Sequence, residues 1–339
     1  MKELYLVVNE KIFRKEKNFF CENKDIQSII NYFVLKYNII IISRYSSFIK
    51  PFKLKKVHKL LNLNFRKFFI FLFFIFNTRN EKKKILIISI TPFNFIIFIL
   101  FKYFFSCKFY LYLRSNGHEE YENILGKKYV FIYKFMFEYI TKYSEVISCH
   151  KRLYKKKCHI LYPSELTINW NKKVKKNYFK KSIVKILYVG RFKIEKGIYS
   201  LLNIFYGLPE NIKLTLVGNG NLVKTYDERI KVVNFVNNET KLIKMYDSSN
   251  IVILPSFTEA YPKVIDEALS RFRPVIVFNN LSYIVDDRRG IFVAKRNKKS
   301  LMEVIFNIRK NYKLINHDMK KNFLPTKKDF LENLQKIIN

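Results

Sequence analysis

Two glutamates eight positions apart, Glu259 and Glu267, lie in the segment Pro255-Ser256-Phe257-Thr258-Glu259-Ala260-Tyr261-Pro262-Lys263-Val264-Ile265-Asp266-Glu267-Ala268-Leu269. The apolar run Ile251–Leu254 before it reads as a buried strand, and Pro262–Ser270 reads as the helix that follows. Proline suits a first helical turn, where its missing N–H leaves nothing unsatisfied. The amides near Lys263 and Val264 then offer N–H groups and the positive end of a helix dipole to a phosphate. Glu267, one to two turns deeper, comes within reach of a ribose diol. Glu259, in the loop, meets hydroxyls of whatever extends past the phosphates. The plain alternative is a pair of ordinary loop and helix-face carboxylates. It weakens in a chain with only 27 acidic side chains among 339 residues.

A second constellation is Tyr188-Val189-Gly190-Arg191-Phe192-Lys193-Ile194-Glu195-Lys196-Gly197. A strand ends, Gly190 turns the chain, and Arg191 and Lys196 follow on a short loop before a helix. Two cations five residues apart on such a loop can grip a diphosphate from two sides. A third, Leu216-Val217-Gly218-Asn219-Gly220, again follows a strand and allows close backbone approach. The chain has only 8 glycines, six of them from Gly190 onward, so the tight backbone work falls in the second half.

Alternating strand and helix patterns position these loops. In the first half, apolar runs at Leu4–Val8, Ile39–Ile42, Ile85–Ile90, Phe109–Leu113, Val146–Ser148 and His159–Tyr162 read as strands. Helices are expected at Ile26–Lys36, Arg66–Phe76, Phe95–Phe105 and Tyr129–Thr141. The second half restarts with strands at Ile186–Val189, Lys213–Val217, Ile230–Phe235, Ile251–Leu254, Val275–Phe278 and Ile291–Val293. Its helices are expected at Tyr199–Phe205, Thr240–Ser248, Pro262–Ser270 and Ser300–Asn311. The expectation is an α/β chain of two facing, doubly wound Rossmann-like domains with a ligand cleft between them. The domains would span 1–165 and 183–322, joined by a lysine-rich linker at 166–182. An amphipathic helix within 323–339 would pack back toward the first.

Composition narrows the function classes. Lys and Arg total 64, for a net charge of +37, while hydrophobic residues make up 49% and aromatics 17%. That much apolar material excludes a disordered basic tail. The charge favours an anionic membrane surface or a nucleic acid as partner, although enrichment in Lys, Asn, Ile, Phe and Tyr throughout also accounts for much of it. No recognised nucleic-acid motif is present. Cys21, Cys107, Cys149 and Cys158 form no C-x-x-C pair and read as free thiols in a reducing compartment, with no metal site. No signal peptide is evident. Phe68–Phe76 is too short to cross a bilayer, and Ile85–Phe105 is interrupted by Thr91, Pro92, Asn94 and Lys102, so it reads as strand, turn and helix. Its interleaved aromatics and lysines suit interfacial contact, so the expected location is cytoplasmic, peripheral on the cytosolic membrane face.

The second half resembles the donor-binding domain of retaining GT-B glycosyltransferases of the family 4 type. Gly190-Arg191…Lys196-Gly197 is similar to that family's G-R-x-x-x-x-K-G, and Glu259 to Glu267 matches its E-x7-E signature. Arg273-Pro274-Val275-Ile276 and Gly290-Ile291-Phe292-Val293 resemble the segments that follow. The resemblance covers about 185–295. In the first half it rests on architecture and on Arg114-Ser115-Asn116-Gly117-His118-Glu119-Glu120, where the family often has His-Gly at a strand end.

The resemblance implies a hexosyltransferase-type enzyme that builds a cell-surface glycan of the polysaccharide or lipopolysaccharide kind. Its partners would be a nucleoside-diphosphate sugar and a glycan or glycolipid acceptor, with no metal and no permanently bound cofactor. Arg191 and Lys196 would neutralise the diphosphate and Glu259 would meet the transferred sugar. Glu267 would hold ribose, with Gly190, Gly218, Pro262, Lys263 and Val264 completing the donor site. His118 or Arg114 would face the reacting centre from the first domain. Three departures stand out. Ala260-Tyr261-Pro262 replaces Gly-Phe-Gly, Asn280-Leu281 replaces a Gly-Gly, and Asn9–Asp25 stands where the family has a glycine-rich loop. The alternative is a non-catalytic basic protein that binds anionic membrane or nucleic acid in a strongly salt-dependent way and has no use for Glu259.

Overall fold

The computed structural model describes every residue except 1, 17, 56, 64–82, 173, 175–178, 180–182 and 221–225. The helix expected at Arg66–Phe76 lies outside the described residues, as do Lys173, Lys175, Lys176, Lys180 and Lys181 of the expected linker. The chain forms two units, Met1–Pro163 with Lys328–Asn339, and Ser164–Lys327.

The first unit contains β1 (Glu3–Lys15), β2 (Asn18–Cys21), β3 (Asn38–Ser46), β4 (Phe52–Lys53), β5 (Lys59–Leu63), β6 (Lys83–Ile88), β7 (Cys107–Leu113), β8 (Glu145–Ser148) and β9 (His159–Ile160). The parallel strands run in the order β5-β3-β1-β6-β7-β8-β9. Their near-continuous apolar runs, such as Ile39–Ile42 and Ile85–Ile88, are what a sheet covered on both faces requires. The helix Pro92–Phe104 lays Ile97, Phe98 and Phe101 against Tyr5, Val7, Ile85 and Ile87. It begins where Thr91 accepts a capping bond from the Asn94 amide at 3.2 Å and Pro92 opens the first turn. Among the described residues no helix is long and apolar enough to cross a membrane.

One expectation is corrected at β1. The polar Asn9 and Glu10 suggested an end at Val8, but the strand continues to Lys15 and turns into the antiparallel β2. Its pairing with β3 shifts register between Val7 and Lys11. A bulge of this kind lets polar residues interrupt the apolar run without ending the strand. The C-terminal helix, Lys327–Ile338, packs within this unit. Phe330 meets Tyr112 at a 6.1 Å ring separation, and the Tyr110 hydroxyl donates to the Ile338 carbonyl at 3.0 Å.

The second unit holds β10 (Val184–Val189), β11 (Ile212–Gly218), β12 (Ile230–Asn234), β13 (Ile251–Leu254), β14 (Val275–Phe278) and β15 (Ile291–Ala294). They form an all-parallel sheet ordered β12-β11-β10-β13-β14-β15. Ile186, Leu214, Leu216 and Ile253 face the helices Ile198–Tyr206 and Lys298–Lys310. Leu187, Val217, Val252 and Val277 face Glu239–Ser248 and Lys263–Ser270. Each fully buried side chain of this size contributes about 1.5–3 kcal/mol, so both layers are strongly held.

The expected linker is also revised. Trp170 is only 3% exposed, within this unit's core and 5.4 Å from the Tyr246 ring, so residues 166–171 belong to the second unit. In both sheets the strand order reverses once, between β1 and β6 and between β10 and β13. The carboxyl ends of those strand pairs are where such sheets receive ligands.

Candidate active site

At the β10–β13 switch point the loops interlock through glycines. A Cβ on Gly218 would lie 1.8 Å from the Gly190 carbonyl oxygen, and one on Gly197 1.9 Å from that of Pro255. Gly197 also has φ +67°, a conformation that side chains disfavour. This close approach brings Lys196 to Glu259. The Lys196 Nζ lies 2.6 Å from Glu259 Oε1, and the Ser256 hydroxyl donates to the same oxygen at 2.7 Å. Both partners are largely shielded, their side chains 22% and 13% exposed.

The Glu259 backbone is clamped as well. Its amide donates to the Tyr283 hydroxyl at 3.2 Å, and that hydroxyl donates back to the Glu259 carbonyl at 2.5 Å. The loop beneath is held by Arg296, whose guanidinium lies 4.3 Å from both the Phe257 and Phe278 rings. Arg296 donates to the Pro255 carbonyl at 2.9 Å and to Asn280 Oδ1 at 2.8 Å. Asn280 Nδ2 in turn donates to the carbonyls of Ser256 and Phe257.

Pro262 precedes the helix Lys263–Ser270 as its N-cap instead of occupying the first turn, with φ −81° and ψ 103°. A proline there is extended and offers no side-chain cap. Lys263 and Val264 are half-buried in the turn that follows. Glu267 accepts from the Tyr246 hydroxyl at 2.6 Å. Burial raises the pKa of its neighbour Asp266, against the pull of Arg288 at 3.2 Å and of the Tyr261 hydroxyl at 2.6 Å. Asp266 thereby pins the Tyr261-Pro262 turn to the helix. Arg191 is exposed on its loop, and its carbonyl accepts from the Tyr188 hydroxyl at 2.7 Å.

The residues that pattern reading missed are Ser256, Tyr283, Arg296 and Tyr246. Three of them act across 20 or more positions of sequence, and no local spacing marks them. Ser256, three residues before Glu259, was within the inspected segment.

In the first unit the β1–β6 switch point opens into a cavity of about 480 Å³. Arg114 lines it, paired with Asp25 at 3.3 Å. His118 sits differently, in the helix Gly117–Leu125. Its ring packs edge-on against Tyr133 and Phe137, with centroids 4.7 and 5.1 Å away. Burial there lowers its pKa from the usual histidine value. Of the two candidates for this strand end, the cavity takes Arg114.

Glu10, on the bulge of β1, also lines the cavity, and its Oε2 is buried with no hydrogen-bond partner among the described residues. Burial raises its pKa from 4.5 to about 7, against the pull of Arg114 and of the Asn23 amide. A raised carboxyl stabilises the fold only while protonated. Its contribution is complete below the unfolded value of 4.5 and is lost as pH rises through about 7. Glu10→Gln is therefore expected to leave stability unchanged near pH 4.5 and to raise it by up to about 3 kcal/mol at about pH 8. Urea unfolding at the two pH values checks this, and an equal effect at both would contradict it.

The two doubly wound domains and the ionic cluster at the second switch point define a class, which comparison with known proteins specifies further. Residues 183–311, all within the second unit, match the family model described as glycosyl transferases group 1. An "uncharacterized glycosyltransferase" of Methanocaldococcus jannaschii is 30% identical over 252 residues, covering 67% of this chain and 60% of that protein. The capsular polysaccharide biosynthesis glycosyltransferase CapM of Staphylococcus aureus is 28% identical over 131 residues, covering 35% of this chain and 34% of CapM. The chain thus spans 60% and 34% of the length of these two curated relatives, in each case less than two thirds.

Among solved structures, sucrose-phosphate synthase from Thermosynechococcus elongatus superposes with a TM-score of 0.70 at 14% identity, over 99% of this chain and 98% of that one. Anabaena HepE, in complex with UDP and glucose, gives 0.67 at 11% identity, over 100% of this chain and 99% of that one. At such identities the likeness is one of fold, and the fold is GT-B.

Proposed function

We propose that the protein is a retaining glycosyltransferase of the family 4 type. It would move a sugar from a nucleoside-diphosphate sugar to a glycan or glycolipid acceptor during assembly of a cell-surface polysaccharide or lipopolysaccharide. The observation that carries this reading is the Lys196–Glu259 pair at 2.6 Å, at the carboxyl edge of a sheet whose residues match the glycosyltransferase model. The HepE complexes with UDP and glucose support a nucleotide-sugar donor by analogy of fold.

In this mechanism the bond between the sugar's anomeric carbon and the diphosphate oxygen breaks, and its electron pair stays on the phosphate. Arg191 and Lys196 stabilise the negative charge that develops there. The acceptor hydroxyl oxygen bonds to the anomeric carbon on the same face, and its proton passes to the departing phosphate oxygen. Glu259 holds hydroxyls of the transferred sugar, Glu267 the ribose, and the amides near Lys263 and Val264 the phosphates. The reading calls on no metal and no resident cofactor. The +37 charge and the exposed Phe131 and Phe135, beside Lys134 and Lys142, support a peripheral place on the cytosolic membrane face.

The test is donor binding and slow donor hydrolysis across UDP-, GDP-, ADP- and CMP-sugars, with Glu259→Ala and Arg191→Ala alongside. One donor is expected to be bound and hydrolysed, with each variant reduced roughly tenfold or more. If no nucleotide sugar binds while anionic vesicles bind wild type and variants alike, the protein is a basic membrane-binding module instead.

A further inference from the structure

Residues 255–259 belong to neither a helix nor a strand, so their peptide groups must find partners outside a ladder. Three successive carbonyls, those of Pro255, Ser256 and Phe257, find them in two side chains. Arg296 Nη1 donates to Pro255 at 2.9 Å, and Nη2 to Ser256 at 3.4 Å. Asn280 Nδ2 donates to Ser256 at 2.9 Å and to Phe257 at 2.7 Å. Arg296 Nη2 also donates to Asn280 Oδ1 at 2.8 Å, so the two side chains form one brace.

Resting on the transferase reading, we propose that Arg296 is a positioning residue for the transferred sugar. Through Asn280 and the carbonyls of 255–257 it fixes Glu259 where the sugar's hydroxyls meet that carboxylate, and it takes no part in holding the nucleotide.

Three observations carry this. First, the brace converges on Ser256, which is fully buried and accepts from both side chains. The Ser256 hydroxyl in turn donates to Glu259 Oε1 at 2.7 Å. The peptide group that Arg296 and Asn280 hold therefore belongs to the residue that aims the carboxylate. Second, the guanidinium is itself committed to this place. It lies 4.3 Å from the Phe257 and Phe278 ring centroids, and burial lowers its pKa from the usual arginine value with no carboxylate offsetting the charge. A shielded cation without a counter-charge is costly unless dipoles and ring faces hold it, so loop and guanidinium fix one another. Third, the ribose end is held from elsewhere. Glu267 stands on the helix Lys263–Ser270 and accepts from Tyr246, and no hydrogen bond of Arg296 or Asn280 reaches either element.

The experiment measures binding to the full chain by calorimetry. The probes are UDP-, GDP- and ADP-sugars together with bare UDP, GDP and ADP. Arg296→Met should weaken the bound nucleotide sugar roughly tenfold or more, as a misplaced carboxylate loses its hydroxyl contact, and its bare nucleotide less than about threefold. In a Glu259→Ala background the same change should cost the sugar form less than about threefold further, because it acts through that carboxylate. Arg296→Lys keeps the charge without the planar fork that spans two carbonyls, so it should behave as Arg296→Met. Melting curves accompany each variant. If Arg296→Met does not fold, Asn280→Ala carries the same expectation, since it removes only the bonds to Ser256 and Phe257 and the link to Arg296. Sugar form and bare nucleotide weakened alike, losses that add in the Glu259→Ala background, or full recovery in Arg296→Lys would each overturn the proposal. Bare nucleotide bound, with the sugar form unbound or indifferent to Arg296→Met, removes this role and leaves the transferase reading standing. Failure to bind any nucleotide or nucleotide sugar removes the transferase reading and this role with it.

Discussion

Lys196→Met is expected to lower sugar transfer by roughly 10²–10³-fold while the chain stays folded. Two losses combine. In the proposed mechanism the ammonium balances charge on the departing diphosphate, and it is lost from a place shielded enough for its field to matter. Glu259, with a side chain only 13% exposed, also loses its partner at 2.6 Å and keeps the Ser256 hydroxyl. A carboxylate left so poorly compensated reorients toward water, and the sugar loses its fixed acceptor. The loss should exceed that from Arg191→Ala, because Arg191 is exposed and its charge is screened. Steady-state transfer, or donor hydrolysis where the acceptor is unknown, gives the ratio, and circular dichroism checks the fold. Activity within threefold of wild type would show that the ion pair is only a structural tie.

The same cluster shows what pattern reading can and cannot recover. Glycines before and after a cation, and glutamates at a fixed interval, are local features. The backbone turns that need them are made within a few residues, so Gly190, Lys196, Glu259 and Glu267 stand out in the sequence, while the roles given to them come from the resemblance. Alternation of apolar runs and helices points to parallel, doubly wound sheets, while the order that puts β10 beside β13 is seen only in the structure. The residues that make Glu259 rigid were invisible because they arrive from elsewhere. Tyr283 comes from the turn after β14, and Arg296 from the end of β15, where one more arginine in a basic chain carries no signal.

Glu10 illustrates the opposite failure. Its polarity, beside Asn9, reads in the sequence as the end of a strand. A bulge absorbs that polarity and turns it into the wall of a cavity. His118 stands near a family motif in the sequence, and in the structure its ring packs on Tyr133 and Phe137. The lysines around 172–181 read as a linker, which masks Trp170, the chain's one tryptophan, at its edge. An indole in a polar stretch was the sign that the stretch begins inside a core.

Trp170 also reports the largest expected stability effect, that of Arg271→Met. Arg271 is 1% exposed and meets Asp247 through two bonds, Nε at 2.9 Å and Nη2 at 2.7 Å. Its Nη1 donates to the carbonyls of Trp170 at 2.6 Å and Lys172 at 3.0 Å. Removing it deprives two carbonyls of a donor and takes from Asp247 its nearer arginine, Arg273 standing at 3.7 Å. Breaking a buried pair from one side costs about 3–5 kcal/mol. For a unit of this size that lowers the melting temperature by roughly 6–20 °C, and Trp170 fluorescence should shift to the red as its segment loosens. The double variant Arg271→Met with Asp247→Leu should be no less stable than Arg271→Met alone, because it removes the stranded charge along with its partner. Additive losses would show that the arginine acts through packing. Asp247 follows Tyr246 on its helix, and Tyr246 holds Glu267 at 2.6 Å, so the single variant should also weaken nucleotide binding. A variant that melts early yet binds UDP as wild type would separate the buried arginine from the site around Glu267.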